Sequence, residues 1–187
     1  MTNIPEHYQD AHRLLTKEGF KTSQVWYHGT STALADAILS KGLIRSGDRA
    51  MNESTKNTMT TIGNPYAESI EPVFLTQSKE LAYFWAQQTV QRRCIRFKGE
   101  ENPLIISIHL PDNLKTKVRP DVGAASLLMI KEGEAYMAYL TRIYQRCKMG
   151  VPDIDLKKAE RYEYLKKLGM AYLDEDIEAQ YLSKITG

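Results

Sequence analysis

Gln24-Val25-Trp26-Tyr27-His28-Gly29-Thr30-Ser31 sets an apolar, β-forming run directly against a histidine, a glycine and two hydroxyls. Val25, Trp26 and Tyr27 favour a short strand, and Gly29-Thr30-Ser31 reads as a small-residue turn. Glycine at that point allows a ligand to approach the backbone N–H and C=O groups. Thr32 or Ser31 can cap the helix that follows. Its buried stripe is Leu34, Ala37, Ile38 and Leu39, and Gly42 stands where a helix end favours a left-handed residue. An imidazole and free backbone groups therefore meet at one strand end, which makes His28 the first candidate for a site.

A second block lies downstream. Pro72 to Thr76 reads as a strand, and Ser78 is placed to cap a helix carrying Leu81, Ala82, Trp85, Ala86 and Val90. Phe74 on the strand and Tyr83, Phe84 and Trp85 on the helix supply aromatic faces, and two such faces brought together make a slot for a flat heterocycle. Leu104 to Leu110 is the clearest strand, ended by a turn at Pro111-Asp112-Asn113. Upstream, Ile4, Tyr8, Ala11, Leu14 and Leu15 predict an amphipathic helix over residues 1–20, closed by Gly19. Residues 45–71 are polar and aperiodic, which predicts a long loop. Residues 124–168 predict two helices broken near Gly133 and a charged third helix before Gly169. Glu178 to Ile185 predicts a closing strand. The order predicts one α+β domain over residues 1–187, with a helical insertion at 120–170 before its last strand.

Composition bounds the function classes. The 187 residues are 42% hydrophobic and 26% charged, the balance of a folded, water-soluble domain. That excludes a disordered chain, a collagen-like repeat and a disulfide scaffold. A net charge of +2 provides no overall basic field, so a polyanion would need a local patch. Cys94 and Cys147 lie outside any CxxC or Cys/His cluster and read as two reduced thiols. No segment has the apolar length of a signal core or a membrane span, so the expectation is a cytoplasmic protein without a membrane partner.

Taken in order, Tyr27-His28-Gly29-Thr30-Ser31, the helix through Ile38 to Gly42-Leu43, and Val73-Phe74-Leu75-Thr76 with Ala82-x-Phe84-x-Ala86 resemble the ADP-ribosyltransferase superfamily. More narrowly they are similar to its His–Tyr–Glu branch, which includes diphtheria toxin, the poly(ADP-ribose) polymerases and the small rifamycin-modifying enzymes. The likeness covers residues 25–110 in order and spacing, and the chain end more loosely. It implies a split β-sandwich flanked by helices. It also implies NAD as co-substrate, cleavage of the nicotinamide glycosidic bond, and mono-ADP-ribosyl transfer to a protein, nucleic acid or small molecule. His28 would bond a ribose hydroxyl and the Gly29 backbone the carboxamide. Ser31 or Thr30 would meet the adenosine side. Phe74 would stack on nicotinamide, with Phe84, or else Tyr83, opposite. Glu178 would stabilise the charge that develops at C1′, with Glu134 and Glu101 as rivals. No metal is implied.

Phe74 stands where the family has tyrosine, so the stacking face is kept and the hydroxyl lost. That departure supports a catalytically silent binding module of the same fold. RNA 2′-phosphotransfer on this fold also consumes NAD, but it needs basic residues for the RNA phosphates, which a charge of +2 disfavours. The remaining signals have simpler readings. His7 and His12 read as surface positions, His109 as a strand residue, and Trp85 as core. Asp174, Glu175, Asp176 and Glu178 read as a solvated turn, and Arg92, Arg93 and Arg96 as charge at a helix end.

Overall fold

The structure, a computed structural model, describes residues 4–63, 70–121, 123, 131–155 and 158–186. Its frame is two three-stranded antiparallel sheets. The first has β3 (Val25–Ser31), β5 (Pro103–His109) and β8 (Leu182–Lys184) in that order, and the second has β4 (Val73–Leu75), β7 (Ala171–Leu173) and β6 (Arg119–Pro120). Tyr27 and Thr76 join the two sheets by a reciprocal pair of backbone hydrogen bonds of 2.9 and 3.0 Å. The architecture is mixed α+β, as the element order predicts.

Several helices frame these sheets, among them a short α5 (Asp112–Lys115) that follows β5. The helix α4 (Lys79–Cys94) lies across β3 and β5. A Cβ on Gly29 would stand 1.9 Å from the Ala82 carbonyl oxygen, so this glycine is required for the strand and α4 to touch backbone to backbone. β3 also runs on through Gly29-Thr30-Ser31 to pair with Pro103, where the composition had predicted a turn. A 3-10 turn over Thr32–Leu34 then leads into α2 (Ala35–Lys41), which Gly42 ends at φ +92°.

Four stretches depart from the sequence expectations for identifiable reasons. At the N-terminus only a 3-10 turn (Glu6–Tyr8) and α1 (Ala11–Leu14) are helical; β1 (Leu15–Thr16) and β2 (Gly19–Phe20) form a hairpin. The Thr16 hydroxyl donates to the Gly19 carbonyl at 2.9 Å and closes the turn locally, in competition with the helical ladder. Residues 45–71 are not all loop, since α3 spans Arg49–Thr61. It buries none of its residues, so no apolar period marks it, and its threonine hydroxyls bond back to carbonyls four residues earlier. Gly133 lies inside α6 (Lys131–Arg146) rather than at a break, while residues 124–130 fall outside the described residues. Finally, the insertion sits between β6 and β7, not before the last strand, so two strands follow it. It ends in a short α7 (Arg161–Glu163) and a π-helical turn (Tyr164–Leu168) stopped by Gly169 at φ +67°.

Two main apolar clusters hold these parts. Trp26, Leu75, Ile106, Ile108, Leu173, Ile177 and Leu182 fill the space around the two sheets. Leu81, Phe84, Tyr136, Leu140, Ile143 and Leu168 join α4 to α6 and the π-helical turn. Full burial of such a side chain contributes about 1.5–3 kcal/mol. Cys94 and Cys147 are free thiols. Among the described residues, no helix is long and apolar enough to cross a membrane.

Candidate functional site

Where β3 parts from β4, a cleft of about 660 Å³ opens beneath α2 and α3. That volume falls in the range of small-molecule sites. His28, Gly29, Thr30, Ile38, Asp48, Phe74 and Arg92 are among its lining residues. His28 is half-buried, and its Nδ1 stands 2.9 Å from the Phe74 carbonyl oxygen. A carbonyl can only accept, so Nδ1 carries the hydrogen and donates; in the neutral ring Nε2 is then an acceptor. Burial holds the His28 pKa below its ordinary 6.5, with the Phe74 bond opposing. The site thus offers a neutral imidazole acceptor, suited to a ligand hydroxyl.

Phe74 is 46% exposed in this cleft while its neighbours Val73 and Leu75 are buried. No second ring faces it from α4. Phe84 packs at 5.1 to 5.2 Å against Trp85, Tyr136 and Tyr139, on the helix side turned to α6. Tyr83 is buried against Tyr8 at 5.4 Å. Both rings serve the core, and among the described residues Phe74 is the one aromatic wall of the cleft.

Thr30 lines the cleft, whereas Ser31 is turned inward. The Ser31 hydroxyl donates to Glu101 at 2.5 Å and accepts from the Ala33 N–H at 3.2 Å, capping the following turn. Glu101 is thereby engaged, because Arg93 Nε also reaches it at 2.8 Å, and the Arg93 bond lowers its pKa. The other arm of Arg93 meets Asp48 at 2.6 Å, and Asp48 in turn caps α3 by accepting from the Met51 N–H at 3.1 Å. Arg93, in the last turn of α4, is therefore also a buried strut that ties this helix end to the segment before β5 and to the start of α3. Its sequence neighbour Arg92 lines the cleft, as do Lys41 and Arg49, and no carboxylate pairs with these three among the described residues.

Glu178 does not line the cleft. It is exposed, sits at the N-cap of a 3-10 turn (Ala179–Tyr181), and accepts from Gln180 Nε2 at 2.8 Å. Lys184 is level with His28 across β5, but a 3-10 turn separates Glu178 from β8. Its chain neighbour Ile177 pairs with the cleft-lining Leu43 by backbone hydrogen bonds of 2.9 and 2.8 Å, so Glu178 stands just outside the Gly42–Leu43 wall. Glu134 is exposed on α6. The carboxylates that line the cleft among the described residues are Asp48, tied to Arg93, and Glu71. Glu71 is pinned by its backbone to Ser46, at 2.6 and 3.0 Å, and its exposed carboxylate has no partner among the described residues. Sequence reading passed over it as the tail of a polar loop. The available signal was its position three residues before Phe74, on the approach to the same strand.

No group of three His, Cys, Asp or Glu side chains among the described residues is arranged to hold a metal ion. No protein-family model, curated protein or solved structure matches the chain.

Proposed function

We propose that the chain is an NAD-dependent mono-ADP-ribosyltransferase. One observation carries this reading: His28, held neutral with Nδ1 on the Phe74 carbonyl, shares a cleft with the exposed Phe74 ring. Nε2 accepts a hydrogen bond from a ribose hydroxyl, and Phe74 stacks on the nicotinamide ring. The C1′–N bond breaks, neutral nicotinamide leaves with the bonding electrons, and the acceptor's nucleophile attacks C1′ and gives up its proton.

A carboxylate beside the ribose strengthens its interaction as positive charge grows at C1′, which lowers the barrier more than it aids binding. Glu178 holds this role by resemblance, and Glu71 by its place in the cleft. Lack of the tyrosine hydroxyl at Phe74 and the absence of Glu178 from the cleft lining favour a second reading, a silent NAD-binding module. Calorimetry with NAD, nicotinamide release and label transfer into a lysate separate the two. Binding without release supports the module. Release that is lost in Glu71→Gln or in Glu178→Gln identifies the carboxylate, and release that survives His28→Ala removes the site assignment.

A further inference from the structure

The second sheet turns one open position per strand to the same side. Phe74 of β4 is directly opposite Tyr172 of β7, and Tyr172 is directly opposite Arg119 of β6. Directly opposed residues share a sheet face. Their neighbours Val73, Leu75, Ala171, Leu173 and Pro120 are buried on the other face, while Phe74 and Arg119 are exposed and Tyr172 half-exposed. No hydrogen bond or ring contact engages the Tyr172 side chain among the described residues. An aromatic–aromatic–cation row therefore leads from the cleft to the β6 edge of the sheet, with about 5 Å between strands.

We propose that Tyr172 is a stacking seat for a base of single-stranded nucleic acid, and that this strand is the acceptor. The chemistry of the row selects this occupant. A tyrosine face stacks on any base, and a cation beside it meets the phosphates, the pairing that sequence-tolerant single-strand binding uses. Cations flank the row at both ends, Arg119 at the sheet edge and Arg49 and Arg92 across the cleft. The acidic turn after β7 opposes them only in part, since Arg45 pairs with Asp174 and Asp176, and Lys117 with Glu175. Binding at Tyr172 stands by itself. The acceptor role rests on the transferase reading: with nicotinamide on Phe74, the base lies one strand away from the sugar carbon that is attacked.

The test uses the full chain and fluorescein-labelled oligothymidylate and oligouridylate, read by anisotropy at two salt concentrations. Both single strands, or one of them, bind, and a matched duplex does not. Tyr172→Leu weakens binding about tenfold, the size of one lost stack, while Tyr172→Phe holds it. Arg119→Ala weakens binding and flattens its salt dependence. Matching circular dichroism and urea midpoints establish that the variants are folded. Absence of oligonucleotide binding by the unaltered chain, or a Tyr172→Leu variant that binds as tightly, overturns the seat. With NAD added, label on a lysate protein and none on either oligonucleotide overturns the acceptor role. Oligonucleotide binding without nicotinamide release keeps the seat and retires the transferase reading.

Discussion

At His28, one hydrogen bond sets the tautomer and burial sets the charge. Because the folded pKa lies below 6.5 and the unfolded ring titrates at its ordinary value, the unfolded chain takes up the proton first as pH falls. The stability due to the neutral ring is complete above pH 6.5 and is lost as pH drops toward the folded value. On the transferase reading proposed above, NAD affinity follows the same protonation, so its acid limb falls below pH 6.5; calorimetric titration across pH 5 to 8 measures it, and a limb at or above 6.5 contradicts the assignment. Gly29 makes a steric prediction. Ala at this position forces a Cβ to 1.9 Å from the Ala82 carbonyl oxygen, so Gly29→Ala should cost about 3 kcal/mol in urea unfolding by driving β3 and α4 apart. His28 was legible from its sequence alone as a strand histidine before a glycine. The reason for the glycine was not, because the atoms it accommodates lie more than fifty residues away.

At the level of elements, α3 is the least expected piece and the one held most by polar contacts. It buries no side chain, and its N-terminus is tied through Asp48 to Arg93. Removing Arg93 would leave Glu101 and Asp48 without their shared cation, and breaking a buried pair of this kind costs about 3–5 kcal/mol. Arg93→Ala should therefore lower the urea midpoint and expose α3 to limited proteolysis before the sheets are cut. Protection of α3 equal to that of the unaltered chain would show that the strut is not what holds it. The apolar pattern and the punctuating Gly, Ser and Pro recovered α2, β4, α4 and β5, although α2 buries only Ala35, with the expected stripe residue Ala37 exposed, and α4 buries the consecutive run Glu80–Phe84. They missed α3 and the short strands β6 and β7, whose two or three residues are too few to carry a period.

Across the whole molecule, the N-terminal segment, α4 and α6 meet at a buried polar junction. Asp10 accepts from the Ser78 hydroxyl at 2.6 Å and from the Lys79 N–H at 2.9 Å, so it caps α4 in place of Ser78. Glu80 is buried beside it, paired with Arg146, and its Oε1 has no hydrogen-bond partner among the described residues. Burial pushes the Glu80 pKa above the ordinary 4.5, against the pull of Arg146. A carboxyl with a raised folded pKa contributes stability that is present below 4.5 and lost as pH rises through the folded value. Glu80→Gln removes that loss, so the difference in thermal midpoint between variant and unaltered chain should change in the variant's favour as pH rises from 4 to 7. A constant difference would mean that Glu80 does not titrate in this range. The sequence by itself determined the α+β class, the strand that carries His28 and the aromatic strand that carries Phe74, because burial periodicity and β propensity are local. Only the tertiary structure decided which groups share the cleft. It turned Phe84 and Ser31 inward, left Glu178 outside the cleft lining, brought in Glu71 and aligned Tyr172 with Phe74, because these relations depend on strand register and helix rotation, which sequence spacing does not encode.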